Sequence, residues 1–477
     1  MELTLMILVL LVGLYMAWNI GANDVANAMG TSVGSKALTL VKAVLIASVL
    51  EFSGAFFLGS NVSETMTQGL VDPRMFLDDP YTFMFGMLSA LLATAIWLQI
   101  ASYFGWPVST THAIVGAVLG FGVVIGGAST IQWHIVGTVA LSWIISPAMS
   151  GLVAFIIFST LQRVIFYSNR PFEMSRRLVP ILVFLVFFTF TLSLSFEGLS
   201  HIGLVLNFPQ SLAFSIGVGI LTMAIAYLLL HLRYQKVAHE HLEKEEQRYQ
   251  VVSMQKALKH LQRAKVSSDG QTKQDLAALL DQTAALTKDM RKKSGFYKSS
   301  SRYQNVEKLF SYLQIISACF VAFAHGANDV ANAIGPVDAV FEIAKTGAIN
   351  LSARTPTWLL ALGGFGIVLG LATWGWRVIE TVGKKITHLT PTRGFSAEFG
   401  AAITILVASK MGMPISTTHC IVGAVLGVGL ARGLSALNLR TLRDIGLSWV
   451  ITLPASAIVC IIFYYLIRFI SSLLFQL

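Results

Sequence analysis

The chain has 477 residues, of which 55% are hydrophobic and 12% are charged. Soluble domains carry about 25% charged residues, so the composition excludes an ordinary soluble protein and indicates a membrane protein. The net charge of +10 would favour nucleic-acid binding if it covered a soluble surface, but 16 of the 34 lysines and arginines lie between Arg233 and Lys308. We therefore expect no nucleic-acid partner and interpret the basic segment as a signal of membrane topology.

Long apolar runs follow one another along the chain and predict about twelve transmembrane helices. They cover residues 4–20, 37–60, 82–104, 107–127, 136–160, 178–199, 211–232, 310–324, 356–375, 397–411, 414–431 and 443–470. Such runs exclude an outer-membrane β-barrel, whose strands alternate in polarity. The fold class predicted is an all-α integral membrane protein. Around 107–127 and 397–431 the apolar pieces are short and flank polar residues, which is also compatible with discontinuous or re-entrant helices.

Two sequence blocks occur twice. GANDVANA covers Gly21 to Ala28 and returns at Gly326 to Ala333, while PVSTTH at Pro107 to His112 returns as PISTTH at Pro414 to His419. The constant order and the nearly constant offset indicate two homologous halves. We predict a first repeat with two connecting transmembrane helices at 1–232, a cytoplasmic basic linker at 233–308 and a second repeat at 309–477.

The distribution of lysine and arginine predicts the orientation of the helices. Placing the basic linker in the cytoplasm puts both termini outside. The first helices of the two halves are then separated by an odd number of crossings, so the second repeat is predicted to be inverted. Inverted repeats are typical of secondary transporters, whose binding site lies near the middle of the bilayer.

GANDVANA places one carboxylate and two amides in an apolar run. These side chains are Asn23, Asp24 and Asn27 in half one and Asn328, Asp329 and Asn332 in half two. A carboxylate in the hydrocarbon costs at least about 2.5 kcal/mol, so it must be paired, hydrated or bound to a cation. The Gly-Ala-Asn start predicts a break in the helix that would expose backbone groups to a cavity. The alternative is that the polar groups only join neighbouring helices.

The PxSTTH blocks combine a proline that suits the first turn of a helix with a cluster of hydroxyl groups. The hydroxyl residues are Ser109, Thr110 and Thr111, and Ser416, Thr417 and Thr418. At the positive end of a helix they predict an anion-binding site that has no fixed cation. In the alternative, the hydroxyls bond back to their own helix. His112 and His419 are interpreted as core histidines, with a direct role in proton or substrate binding as the alternative.

The charges of the two motif aspartates and of a bound anion predict symport. Two aspartates and an anion repel one another at a low dielectric, so Na⁺ or H⁺ has to bind with the anion or to the aspartates. Carboxylates can accept a hydrogen bond from HPO₄²⁻ but not from sulfate, which weakly favours phosphate. Glu51 and Glu398 also lie in or beside apolar runs. We expect one of them to assist a cation site or gating, with a satisfied buried acid as the alternative.

The doubled GANDVANA, each copy followed by a PxSTTH block, resembles the inorganic phosphate transporter (PiT) family. The resemblance covers both halves and implies a cation-coupled phosphate importer with about twelve transmembrane segments, inverted repeats and a homodimeric assembly. It implies that the motif acids and amides, with the Ser/Thr clusters, hold substrate and ions, and that Glu51 and Glu398 match important glutamates. The family includes Na⁺-coupled, H⁺-coupled and sulfate-carrying members.

The predicted function is secondary active import of inorganic phosphate across the cell membrane by alternating access, with Na⁺ favoured over H⁺ as the coupling ion. We assign phosphate binding to the four asparagines and the six hydroxyl residues, the asparagines being Asn23, Asn27, Asn328 and Asn332. We assign binding of the coupling ion to Asp24, Asp329, Asn23, Asn328, Glu51 and Glu398. No resident cofactor is expected. The alternatives are a sulfate symporter of the same fold and an anion channel. An enzyme is disfavoured because the anion site has no evident nucleophile with a base, metal cluster or arginine clamp.

Overall fold

The structure is a computed structural model that describes residues 2–106, 108–196, 206–293, 303–350, 355–376, 378–379, 389–433 and 439–475. Pro107, which the sequence places in the first turn of a helix, lies outside the described residues. The helices are α1 Glu2–Gly34, α2 Leu40–Leu58, α3 Ser60–Gln68, α4 Pro80–Phe104, α5 Thr110–Phe121, α6 Trp133–Leu161, α7 Pro171–Ser195, α8 Phe208–Val266, α9 Gly270–Lys293, α10 Gln304–Thr346, α11 Thr357–Thr373, α12 Pro391–Lys410, α13 Thr417–Arg432 and α14 Leu439–Phe475.

The predicted all-α fold is confirmed, and each predicted apolar run coincides with a helix. Among the described residues, eight helices are long and apolar enough to cross a membrane. Three shorter apolar segments contain α5, α11 and α13. Helix α5 continues as a π-helical turn over Gly122–Gly126, so the helical segment Thr110–Gly126 is about 25 Å long at 1.5 Å per residue. This length is slightly less than the hydrocarbon thickness of about 30 Å.

The predicted helix break in GANDVANA is wrong. Both copies lie inside continuous helices, Gly21 to Ala28 within α1 and Gly326 to Ala333 within α10. The backbone groups of the motif are therefore satisfied within the helix, and unwound carbonyls are not available there as ligands. The asparagine and aspartate side chains have to supply the chemistry.

The motif glycines serve close packing instead. A Cβ atom on Gly21 would lie 1.9 Å from the backbone oxygen of Ile367 in α11, and one on Gly326 would lie 2.0 Å from that of Glu51 in α2. The same kind of contact is made by Gly370 against Trp18. Helix α2 therefore packs on α10 as α11 packs on α1, which places Glu51 and Ile367 at corresponding positions.

Two tight turns position the short helices. Gly105 ends α4 before α5, and Gly412 follows α12 before α13; each has a φ of +67°. Residues with side chains rarely adopt this left-handed conformation. The two copies of PxSTTH thus follow turns of the same local geometry, and each begins a new helix at its first threonine.

The chain forms two compact units. One contains 1–159, 185–219 and 311–477, and with them both copies of each motif; the other contains 160–184 and 220–310. In the second unit α8 continues far beyond its apolar part, and α9 follows it after a short turn. The division into repeats at 232 and 308 and the inverted orientation of the halves stay predictions.

Candidate substrate and ion site

The two motif aspartates come together. Asp24 and Asp329 are 1% and 0% exposed, and ligand atoms of Asp24, His325 and Asp329 all lie within 4.8 Å of one another. A pair of buried acids contributed by two halves of the chain requires nearby positive charge or hydrogen-bond donors. Their arrangement makes this cluster the candidate functional site.

A threonine from the short helix of the same half donates to each aspartate. Thr110 Oγ1 donates to Asp24 Oδ2, and Thr417 Oγ1 donates to Asp329 Oδ2 at 2.8 Å. Asp24 Oδ1 also accepts from Asn27 Nδ2 at 3.1 Å. The predicted anion-binding residues and the predicted cation ligands are thus in direct contact.

The second threonine of each cluster connects the two halves. Asn27 Nδ2 donates to Thr418 Oγ1 at 2.8 Å, and Asn332 Nδ2 donates to Thr111 Oγ1 at 3.2 Å. Thr111 in turn donates to the carbonyl of Ile415 at 2.8 Å. Among the described residues, these hydroxyls have partners in the other half rather than carbonyls of their own helices.

The remaining motif amides join the long motif helices to α4 and α12. Asn23 Nδ2 donates to Ser102 Oγ at 2.8 Å, and Asn328 Nδ2 donates to Ser409 Oγ at 3.0 Å and to the carbonyl of Met413 at 3.2 Å. These bonds are equivalent in the two halves. They fix the side chains of α1 and α10 relative to the turns that precede the short helices.

The two serines are helix caps. Ser109 Oγ accepts from the backbone N–H of His112, and Ser416 Oγ accepts from that of His419, each at 3.2 Å. Such a cap satisfies one of the free N–H groups of the first turn. A serine hydroxyl that accepts one bond can still donate its proton, so both serines keep a donor for an anion.

The two core histidines pack against each other and against tryptophans. The rings of His112 and His419 are 4.4 Å apart in an edge-on arrangement. The ring centroids of His112 and Trp143 are 3.9 Å apart, and those of His419 and Trp449 are 3.5 Å apart. This aromatic packing agrees with the interpretation of both as core residues.

Sequence reasoning missed His325. Its Nε2 lies 3.0 Å from Asp329 and its Nδ1 lies 3.3 Å from Glu51, with all three side chains buried. The corresponding position before the first GANDVANA is Ile20, and the position corresponding to Glu51 is Ile367. Alignment of the two repeats could have revealed the histidine, because it is a polar replacement at the residue that precedes the motif.

Glu398 lies in a separate hydrogen-bond cluster. Its carboxylate accepts from Thr31 at 2.5 Å, Ser32 at 2.7 Å, Gln314 at 3.1 Å and Ser317. Four neutral donors satisfy the buried acid, in agreement with the alternative that the sequence left open. The cluster joins α1, α10 and α12.

Several buried oxygens around Asp329 have no hydrogen-bond donor among the described residues. They are Asp329 Oδ1, Asn328 Oδ1 and Asn332 Oδ1, whereas Glu51 Oε1 lies 3.3 Å from His325 Nδ1. A buried acceptor without a partner costs about 1–3 kcal/mol. Oxygen atoms of this kind are the ligands that hard cations prefer, so the residues present fit a bound cation.

We expect His325→Gln to destabilise the protein strongly. Removal of the ring leaves Glu51 and Asp329 buried without their common partner, which costs about 3–5 kcal/mol for a broken buried pair. The measurement is the unfolding temperature of purified protein in detergent. His325→Gln combined with Glu51→Gln should lose less stability than the two single changes added together, and strict additivity would contradict direct contact between the two side chains.

Comparison with known proteins identifies the family of the chain. The model of the phosphate transporter family matches residues 20–460. A Chlamydia pneumoniae protein whose name contains the words phosphate permease is 46% identical over 98% of this chain and 99% of its own length. The chloroplastic inorganic phosphate transporter 2-1 of Arabidopsis thaliana is 42% identical over 97% of this chain and 72% of its own length.

A solved structure entitled the sodium-dependent phosphate transporter matches with a TM-score of 0.79 and 35% identity, and the match covers 98% of this chain and all of that one. The fold and the paired motifs thus define a multi-pass membrane transport protein. The chain belongs to the phosphate transporter family.

Proposed function

We propose that the protein is a secondary active transporter that imports inorganic phosphate together with Na⁺ by alternating access. Protons are the second choice of coupling ion. The observation that carries the proposal is the cluster of buried oxygens around Asp329, which has acceptors without donors and lies against Asp24. A cation supplies what such a cluster needs.

The charge balance supports coupling. Asp24, Asp329 and Glu51 bring three acidic groups, and His325 is the only basic side chain described in an ion pair with any of them. Even a charged imidazole leaves a net negative site. A phosphate anion adds to the repulsion, so it binds well only when cations bind too.

The hydroxyl groups support an anion next to these cations. The threonines and capping serines begin α5 and α13, where the positive end of the helix favours negative charge. The carboxylates can accept the proton of HPO₄²⁻, which selects phosphate over sulfate. In this proposal the amides and hydroxyls bind phosphate and the aspartates bind the cation. Glu51 supports ion binding through His325, while Glu398 holds α1, α10 and α12 together.

The proposal includes a homodimer in the cell membrane with both termini outside and the 233–308 linker in the cytoplasm. It rests in these parts on the sequence pattern and the family resemblance. The protein does no covalent chemistry on phosphate in this scheme, since transport requires only binding and release on opposite sides.

Uptake by reconstituted vesicles tests the function. Labelled phosphate should accumulate against its gradient under an imposed Na⁺ gradient, and less under a pH gradient of equal driving force. Conductance without accumulation would indicate a channel. Uptake that unlabelled sulfate suppresses and unlabelled phosphate does not would make sulfate the substrate.

Thr417→Val should weaken phosphate binding more than Na⁺ binding. In the proposed bound state the Thr417 hydroxyl turns from Asp329 Oδ2 to phosphate, while the cation takes its place at the carboxylate. The change keeps the shape of the side chain but removes this donor, which costs about 1 kcal/mol or roughly a fivefold increase in the half-saturating phosphate concentration. Thr417→Ser should restore the affinity because it returns the hydroxyl. Equal phosphate affinity of wild type and Thr417→Val, measured at saturating Na⁺, would count against the anion site.

A further inference from the structure

An apolar groove runs between α6 and α12. It has a volume of about 370 Å³, and its walls include Met149 and Val153 of α6 and Val407 of α12. Three of its four hydroxyl residues, Thr138, Ser142 and Thr404, donate to carbonyls of their own helices, while the buried hydroxyl of Ser146 has no partner among the described residues. Apart from this one hydroxyl, the walls present methyl, methylene and thioether groups.

The groove reaches the residues that position the candidate site. Met413 and Ile415, in the non-helical segment between α12 and α13, form part of its wall. The carbonyl of Met413 accepts from Asn328, and that of Ile415 accepts from Thr111. Whatever fills the groove thus touches two residues whose backbones hold side chains assigned to phosphate.

The surroundings indicate the occupant. Helix α6 belongs to a candidate span that covers Trp133–Phe166, and the groove lies along the middle of that span, so it opens at the depth of the acyl chains. A predominantly apolar wall accepts methylene groups at little cost in unpaired polar groups. Three methionines in the wall, Met149, Met411 and Met413, can adapt to a flexible chain.

We propose that the groove binds one acyl chain of a membrane phospholipid and that this chain supports the 411–416 segment. Through Met413 and Ile415 the bound chain sets how Asn328 and Thr111 are held. The effect on phosphate rests on the proposed function, whereas the binding of lipid does not.

A photoactivatable phosphatidylcholine, with a diazirine in its acyl chain, tests the site in vesicles that contain the full chain. Mass spectrometry should find more label on Met149, Val407 and Met411 than on Val450, a residue of α14 that is 71% exposed. Val153→Trp should remove the groove label because the indole occupies the space. Val450→Trp is the matched control and should leave the groove label unchanged.

Phosphate uptake is measured in the same vesicles. The rigid indole of Val153→Trp should press on the 411–416 segment and raise the half-saturating phosphate concentration about threefold. A change of this size is less than the loss of one complete hydrogen bond would cause. Val450→Trp should not change it. Lost groove label without a change in phosphate affinity would overturn the link to the site.

Label that is no stronger in the groove than at Val450 would overturn the lipid site, as would groove label that survives Val153→Trp. Efficient crosslinking between copies that carry Val407→Cys, together with absence of groove label, would show that a second chain covers the groove instead. The labelling requires neither phosphate nor Na⁺. Failure of phosphate uptake by the wild type would therefore count against the proposed function and leave the labelling result intact.

Discussion

Asp24→Asn and Asp329→Asn are each expected to abolish Na⁺-driven phosphate uptake while the protein still folds and inserts. Asparagine keeps the size of the side chain and an oxygen that can accept from Thr110 or Thr417, but it removes the negative charge. Loss of about 3 kcal/mol of charge-assisted binding corresponds to roughly a hundredfold weaker cation binding. The measurement is the initial rate of labelled phosphate uptake against Na⁺ concentration in reconstituted vesicles.

Asp338→Asn is the matched control. Asp338 is another buried acid of α10, but it accepts a hydrogen bond from Thr355 and is not one of the acids of the candidate site. This variant should keep Na⁺-dependent uptake. Wild-type uptake by a properly inserted Asp24→Asn/Asp329→Asn double variant would refute the assignment of the aspartates to the cation.

Gly326→Ala and Gly21→Ala are expected to prevent normal folding. The added methyl group would lie about 2 Å from a backbone oxygen of the opposing helix, and a backbone atom cannot rotate away as a side chain can. Overpacking usually costs about 1–3 kcal/mol and more when the backbone must shift. The yield of monodisperse protein and its unfolding temperature in detergent are the measurements.

Gly137→Ala provides the comparison, because a Cβ atom on Gly137 in α6 would have no neighbour within 4 Å. Alanine is the better helix former by about 1 kcal/mol, so this variant should be as stable as the wild type or more so. If Gly326→Ala has the same stability as Gly137→Ala, α2 and α10 do not approach each other as closely as described.

The sequence predicted the helices well because each apolar run is a strong local signal. It also predicted that Asp24 and Asp329 would share one site, since the binding site of a transporter with inverted repeats lies where the two halves meet. The partners of the threonines were not predictable in the same way. Thr111 and Thr418 could bond within their helix or across the halves, and only the packing of the two turns decides between these options.

The helix break was predicted wrongly because a glycine beside polar residues has two physical explanations. The conformational freedom of glycine suggests that the helix unwinds, whereas its lack of a side chain permits a neighbouring helix to approach closely. Gly21 and Gly326 lie at such close helix contacts. His325 was missed for a related reason. Its importance depends on Glu51, which lies far away in the sequence and faces it only because α2 packs on α10.

The pairing of His325 with Glu51 also has a consequence for how a duplicated gene could diverge. The corresponding residues Ile20 and Ile367 are both aliphatic, so each couple is matched in polarity and takes one member from each half. A change of Ile to Glu at position 51 alone would place a carboxylate in the hydrocarbon without a partner. We infer that both positions changed together or through a polar uncharged intermediate. A tandem of two first halves would consequently have isoleucine in place of His325 and would leave both copies of Glu51 without an imidazole partner, so the two halves are not interchangeable.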